Sequence, residues 1–256
     1  MSILREQRKE KIADYLRRNT KASVDELRTQ FDMSGATVRR YLEELSREGK
    51  IQRVRGGAAL TDGSKTEPPI VQRGFAQSRE KQLIARRAAE LVEDGQTVFL
   101  GSGSTVLEVA RQLRGRSNIT VITNSLPVIN LLADSDAIRV IATGGLLRNE
   151  ELSLIGHLLE VCLAELRADN VIIGIQGIDP VHGLTNEYLP ETVSDRAILG
   201  FARHVIVVAD HTKFGRTKPS FVAELSAVKT IVTDPAADPV MLAELRSRGI
   251  RVLVAE

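Results

Sequence analysis

The sequence predicts an α/β protein in two parts: a small basic helical module in front and an open α/β sheet domain behind it. Three observations predict this. Residues 1–60 hold fourteen Lys and Arg against nine Asp and Glu, a surplus of +5 in a chain whose net charge is +2. Apolar residues in that segment recur at helical spacing. From about residue 97, short apolar runs alternate with amphipathic stretches, the pattern of buried parallel strands covered by helices.

The bulk numbers bound the answer. A chain of 256 residues has room for one large domain plus a small one. A hydrophobic share of 43% with 27% charged residues excludes a disordered or fibrous chain. Cys162 is the single cysteine, so no disulfide framework exists and a reducing, cytoplasmic setting is expected. No apolar stretch reaches the ~18 residues of a spanning helix. The charged first residues carry no signal-peptide core.

Ile12, Tyr15 and Leu16 fall at i, i+3 and i+4 and predict a first helix over residues 5–18, ended at Asn19-Thr20. Ser23-Val24-Asp25-Glu26 has the form of a capping box, opening a short second helix that buries Val24, Leu27 and Phe31. After the turn Asp32-Met33, Ser34 caps a third helix over residues 35–47, with Gly49 as its stop. On a wheel of about 100° per residue, Tyr41, Leu42 and Leu45 lie within roughly 60° of Val38. Ala36, Arg40, Glu43 and Arg47 lie opposite, flanked by Thr37 and Arg39. Small residues at the leading turn followed by guanidinium groups are what entry into a DNA major groove requires. Glu43 there would read a cytosine amino group or orient an arginine. The stretch KIQRVRGGAAL then predicts a β-hairpin wing with basic tips. Three helices and a wing make a winged helix-turn-helix. The plainer alternative is a small helical domain with a solvated basic face.

Ser34, then Thr37-Val38-Arg39-Arg40, then Arg53-Val54-Arg55-Gly56-Gly57-Ala58 form a specific series. In these motifs the chain resembles the N-terminal part of the DeoR family of bacterial transcription regulators. That family usually has Asp after the arginine pair. Tyr41 stands there, so a carboxylate that would orient Arg40 is missing. The expected DNA-contacting set is Ser34, Ala36, Thr37, Arg39, Arg40, Arg53, Arg55 and Gly56. Arg39 and Arg40 would meet base edges or phosphates, and Arg53 and Arg55 the backbone or minor groove.

The stretch TDGSKTEPPIVQRG, with Pro68-Pro69, marks a linker. The expected domains are therefore 1–60, a linker at 61–75, and 76–256. A long helix is predicted over residues 72–93, with Leu83, Ile84, Ala88 and Leu91 apolar. Strands are predicted at 97–100, 119–123, 138–143, 171–175, 205–209, 230–233 and 251–254. Helices are predicted at 105–113, 127–133, 157–166, 192–202 and 239–248.

In open α/β sheets ligands bind at the carboxyl ends of the strands. Five polar or glycine-rich segments lie there: Gly101-Ser102-Gly103-Ser104-Thr105, Thr123-Asn124-Ser125, Gly144-Gly145, Gln176-Gly177-Ile178-Asp179, and Asp210-His211-Thr212-Lys213. They are expected to converge on one rim. The first would let amides and hydroxyls at a helix start meet an anion. Val106 replaces the third glycine of a dinucleotide fingerprint, and no Gly-Lys-Ser/Thr follows. A compact phosphate or carboxylate suits the loop, with Lys213 as counter-charge. A merely tight turn and a surface lysine are the alternative. The four histidines have no metal-ligand spacing, and Cys162 sits in an apolar helical stretch as a core residue.

The 101–105 loop, Thr123-Asn124-Ser125, Gly144-Gly145, Gly177-Ile178-Asp179, Gly183-Leu184-Thr185 and Asp210-x-x-Lys213-Phe214-Gly215 also resemble the DeoR-type sensor domain. That domain shares a fold with ribose-5-phosphate isomerase and the CoA transferases. With the N-terminal motifs, the resemblance spans nearly the whole chain. It implies a sugar phosphate or related anionic metabolite as effector, and repression that the ligand relieves. The expected effector set is Gly101, Ser102, Gly103, Ser104, Thr105, Asn124, Gly145, Gln176, Asp179, Asn186, Asp210 and Lys213, with no cofactor and no metal.

An isomerase needs a positioned carboxylate base and a cation for the developing enediolate. Where the isomerases have Asp-Gly-Ala-Asp-Glu, this chain has Ile173-Gly174-Ile175-Gln176-Gly177. An isomerase lysine matches Asn186, and the shortened counterpart of the base is Asp195 beside Arg196. Asp179, Glu187 and Glu191 remain as acceptors for ligand hydroxyls or as solvated residues. The expectation is a binding site and not a catalyst: a homo-oligomeric repressor (dimer or tetramer) on palindromic or repeated operator half-sites, without membrane attachment. Its ligand would bias the placement of the DNA-binding modules. The rivals are a sugar-phosphate isomerase with a fused DNA-binding segment and a ligand-independent architectural DNA protein. The stretch LTNEYLP, residues 184–190, is expected to decide ligand identity.

Overall fold

Residues 2–19, 21–47, 51–54, 56–59 and 68–256 are described by a computed structural model. Two compact units are present, 1–66 and 67–256. Most of the linker stretch, and Arg55, lie outside the described residues.

The first unit runs α1 (Ser2–Asn19), β1 (Lys21–Ser23), α2 (Val24–Phe31), α3 (Gly35–Arg47), β2 (Gln52–Val54) and β3 (Gly57–Ala59). The capping box is formed: Ser23 Oγ accepts from the Glu26 amide at 3.1 Å, and the Glu26 carboxylate accepts from the Ser23 amide at 2.7 Å. That backbone bond is the main cause holding the Glu26 carboxyl below its usual range. Asp32 ends α2 in the left-handed conformation at φ 48°, and Ser34 Oγ accepts from the Thr37 amide at the start of α3. Ile12, Leu16, Leu27, Val38, Tyr41, Leu42 and Leu45 form the core. β3 lies between β1 and β2 in a small antiparallel sheet. The hairpin β2–β3 is the expected wing. β1 was not foreseen, because three residues are too few to show a strand period.

The second unit is built on seven parallel strands in the order β15-β14-β12-β9-β4-β5-β6. These are β4 (Thr97–Leu100), β5 (Ile119–Thr123), β6 (Ile138–Ala142), β9 (Ala168–Gly174), β12 (Ala202–Val208), β14 (Thr230–Thr233) and β15 (Arg251–Val254), each at or near an expected strand. Side-chain alternation divides them into two apolar layers. Val98, Leu100, Val121, Ile172, Ile206 and Val232 face one layer with α5 (Ser78–Ala89), α6 (Ser104–Leu113) and α7 (Leu126–Leu132). Phe99, Ile122, Val171, Ile173, Val207 and Ile231 face the other, under α8 (His157–Glu165), α9 (Leu189–Phe201) and α10 (Pro239–Ser247).

Two features depart from the sequence expectation. The helix foreseen over 72–93 is broken into a single turn, α4 (Ile70–Arg73), and α5, because Gln77 takes φ 48° between them. Short strands also fold over the sheet's carboxyl edge. They are the hairpin of β7 (Leu146–Arg148) and β8 (Ser153–Ile155), and an antiparallel sheet of β10 (Gly177–Asp179), β11 (Gly183–Asn186) and β13 (Ser220–Ala223). Among the described residues, no helix is long and apolar enough to cross a membrane.

Candidate ligand cleft and nucleic-acid interface

β12, β9 and β4 are neighbours in the sheet, and a cleft of about 220 Å3 opens at their carboxyl ends. The chain lays strands outward on one side, β4 to β6, then returns to lay β9 to β15 on the other. The cleft therefore sits at the point where strand order reverses, the usual ligand position in such sheets.

The 101–105 loop joins β4 to α6. Gly103, at φ 122° and ψ 147°, occupies backbone space that side-chain-bearing residues avoid. It also precedes α6 and brings no side chain to cap it. Ser104 and Thr105, the first residues of the helix, line the cleft. A helix start without a side-chain acceptor, carrying two hydroxyls, is disposed to hold an anion.

Three cationic side chains line the same cleft: Arg73, Lys81 and Lys213. Lys81 is only 5% exposed. Its Nζ donates to the Arg73 carbonyl at 2.5 Å and to the Ala76 carbonyl. Burial is the main cause lowering its pKa, opposed by Asp210 and reinforced by Lys213 and Arg73.

Each lining carboxylate is engaged. Glu151 pairs with Arg73. Glu191 pairs with Arg148 and accepts from the Ser153 hydroxyl at 2.9 Å, while the Arg148 guanidinium lies 4.5 Å from the Tyr188 ring centre. Asp195 accepts from Asn186 Nδ2 at 2.7 Å. Asp210 accepts from the Thr212 amide at 3.0 Å and from its hydroxyl. Asn186 Oδ1 in turn accepts from the Gln176 amide at 3.1 Å. Glu187, outside the lining, pairs with Lys218 at 2.8 Å.

Of the expected effector set, the structure brings together Gly101, Ser102, Gly103, Ser104, Thr105, Gln176, Asn186, Asp210 and Lys213. It does not bring Asn124, Gly145 or Asp179 to the lining, so the five strand ends do not share one rim. Asn124 is buried beneath the hairpin, exchanging hydrogen bonds with the Leu154 backbone at 2.7 and 3.1 Å. Gly145, at φ 148°, lets β7 approach β8. A Cβ there would stand 2.7 Å from the Ile155 amide nitrogen. Asp179 closes the β10–β11 turn, accepting from the Val181 and His182 amides at 2.9 and 2.8 Å. The His182 amide is the main cause holding that carboxyl below its ordinary value.

Arg73, Gln77, Lys81 and Glu151 line the cleft without any expectation from the sequence, and Thr212 reaches it with its expected segment 210–213. A signal for Lys81 existed. It stands at i of the stripe Lys81, Ile84, Ala85, Ala88 on α5, a charge in an otherwise buried row.

In the first unit, α3 exposes Ser34, Ala36, Arg39, Arg40, Glu43 and Arg47, with Thr37 half-buried. The Thr37 hydroxyl lies 2.9 Å from Ser34 Oγ. Arg53 on the wing donates to the Arg39 carbonyl at 3.2 Å, fixing wing against helix. Gly56 turns the hairpin at φ 82° and its carbonyl accepts from the Val24 amide at 2.9 Å. Tyr41 is buried in the core, with the Arg40 guanidinium 5.6 Å from its ring centre. An aromatic ring thus stands beside Arg40 where a carboxylate was the family's habit.

An exposed cationic helix beside a wing, carried on the same chain as an α/β unit with a strand-end cleft, defines a DNA-binding transcriptional regulator. The DeoR-like helix-turn-helix domain matches residues 8–63 and the DeoR C terminal sensor domain matches residues 76–235. The chain belongs to the DeoR family. It is 36% identical over 239 residues to the Glycerol-3-phosphate regulon repressor of Escherichia coli (strain K12), covering 93% of this chain and 94% of that one. It is 32% identical over 254 residues to the HTH-type transcriptional repressor GlcR of Bacillus subtilis (strain 168), covering 99% and 98%. Among solved structures, ribose 5-phosphate isomerase A from Methanocaldococcus jannaschii overlaps at a TM-score of 0.41 and 20% identity, over 54% of this chain and 55% of that chain.

Proposed function

We propose that this regulator is a repressor of a carbohydrate-catabolism operon, controlled by a phosphorylated sugar or related small anion bound in the cleft, and that it does not transform that ligand. The observation that carries the reading is the uncapped start of α6 facing the same cleft as Lys81, Arg73 and Lys213. The names of its relatives, a glycerol-3-phosphate regulon repressor among them, agree with it. Ile173 and Gln176 line the cleft where an isomerase needs carboxylates, and the carboxylates that are present are hydrogen-bonded or ion-paired already. Ser34, Ala36, Thr37, Arg39, Arg40, Arg53, Arg55 and Gly56 are the proposed operator contacts.

A homo-oligomer on repeated half-sites completes the proposal. α8 packs against α9, and both present uncovered apolar side chains, Leu158 and Val161 on one and Leu189 and Val193 on the other. Exposed apolar side chains on two helices packed together suit a contact between copies.

The test is a panel of triose, pentose and hexose phosphates, glycerol 3-phosphate included, read by melting temperature and by turnover in parallel. Stabilisation without turnover is expected, followed by a change in operator affinity with the same compound. Turnover of any member would replace the sensor reading with the isomerase one.

A further inference from the structure

We propose that Lys81 couples occupancy of the cleft to the stretch of chain, residues 70–77, through which the sensor unit is joined to the N-terminal unit. An anion on the 101–105 loop tightens the hold of Lys81 on the Arg73 and Ala76 carbonyls. The inference rests on the reading of the cleft as an anion site.

Residues 70–77 form one wall of the cleft through Arg73, Ala76 and Gln77. This wall has little to hold it in place by itself. α4 is a single turn, and Val71 and Phe75 are 65% and 82% exposed. Ile70 is its buried apolar anchor. Besides its packing against α6, polar ties hold the wall: the Ile70 amide to the Glu150 carbonyl at 2.8 Å, Arg73 to Glu151, the Lys81 amide to the Gln77 carbonyl at 3.0 Å, and the two bonds from Lys81 Nζ. The ties to Glu150 and Glu151 come from the β7–β8 turn, whereas Lys81 stands on a helix packed into the sheet core.

An ammonium group has three N–H donors, and Lys81 uses two of them on the wall. Among the described residues only these two acceptors take Lys81 Nζ, so the third donor is the one a ligand would meet. Asp210 attracts the ammonium, while Lys213 and Arg73 repel it. An anion in the cleft supplies the counter-charge that burial denies it, and charge-assisted bonds are about twice as strong as neutral ones. A ligand that binds better when Lys81 is in place must, by reciprocity, hold Lys81 in place and the wall with it.

The test is hydrogen–deuterium exchange on the full chain, read at the amides of residues 73–77, with and without inorganic phosphate or glycerol 3-phosphate. In the wild type either anion should slow exchange at these amides about ten-fold or more. Lys81→Met should exchange about ten-fold faster than the wild type without anion and be insensitive to its addition. If Lys81→Met does not fold, Lys81→Gln, which lacks the charge but keeps a donor, is read instead, with insensitivity to the anion as the expected result. A rise in melting temperature without slowing at 73–77 overturns the coupling and leaves the anion site standing. No thermal response to either anion overturns both.

Discussion

Glu191 Oε1 accepts a hydrogen bond from the Ser153 hydroxyl at 2.9 Å, and the other oxygen of that carboxylate receives the Arg148 guanidinium. Helix α9 is thereby tied to the β7–β8 hairpin under the cleft. Both charged side chains are buried. Removing Glu191 leaves the buried Arg148 guanidinium with the half-exposed Glu150 carboxylate, 4.0 Å away, in place of a close partner. Glu191→Ala should cost about 3–5 kcal/mol in urea unfolding, while Arg148→Met combined with Glu191→Leu should recover most of it. A single-variant loss below about 1 kcal/mol would mean the pair is solvated in solution.

Gly103 tests the loop. Its φ of 122° is strained for any residue with a Cβ, at a cost of about 1–3 kcal/mol. Gly103→Ala should fold with a lowered melting temperature and lose the stabilisation that sugar phosphates give the wild type. Operator binding without ligand should be unchanged. A variant that keeps its full thermal response would remove the loop from the ligand site.

For the DNA face, Arg39→Ala and Arg40→Ala are measured by fluorescence anisotropy on a duplex selected from random DNA by the wild-type protein. A base-edge contact should cost about 1–3 kcal/mol and relax the sequence preference at one position. A phosphate contact should weaken all sequences alike and reduce the salt slope by about one. Neither effect at either arginine would mean that α3 does not enter the groove.

Asp179 gives a pH signature. Its folded pKa lies below 3.8, chiefly because the His182 amide donates to the carboxylate, so its contribution is complete above 3.8 and fades as pH falls through the folded value. Asp179→Ala should lower the melting temperature at neutral pH by no more than about 2 °C, because solvent screens the exposed carboxylate. The gap between wild type and variant should narrow on acidification below 3.8. A gap that stays constant down to the acid limit would detach the turn from its carboxylate.

Leu158→Glu places a charge on the exposed apolar surface of α8, where Leu158 is 63% exposed. Sedimentation should show a smaller species than the wild type. An unchanged sedimentation coefficient would put the contact between copies elsewhere.

The sheet was readable because it is buried on both faces. Runs such as 205–209 and 171–173 are apolar throughout, and that pattern survives in one dimension. The 101–105 loop was readable because its glycines and hydroxyls sit beside an apolar run. The hairpin β7–β8 escaped notice, since Leu146, Leu147 and Arg148 are too short a run to show a period, and what fixes them is pairing across a gap with Leu154 and Ile155. That hairpin also explains why Asn124 and Gly145 are absent from the cleft. Each lies at a strand end, as the general rule required, but a later segment folds onto it. Arg73, Lys81 and Glu151 reach the cleft from three separate stretches, and their meeting is a property of the fold and of no local motif.

The sheet order has a temporal consequence. The buried core of the first unit is complete by Ala58, so a ribosome can deliver a finished DNA reader early in synthesis. β4 waits for β9 to pair beside it, and the cleft waits further for Asp210 and Lys213 on the far side of β12. On the proposed reading of the cleft, each newborn copy therefore has its helix-turn-helix unit folded before it has the site for its effector.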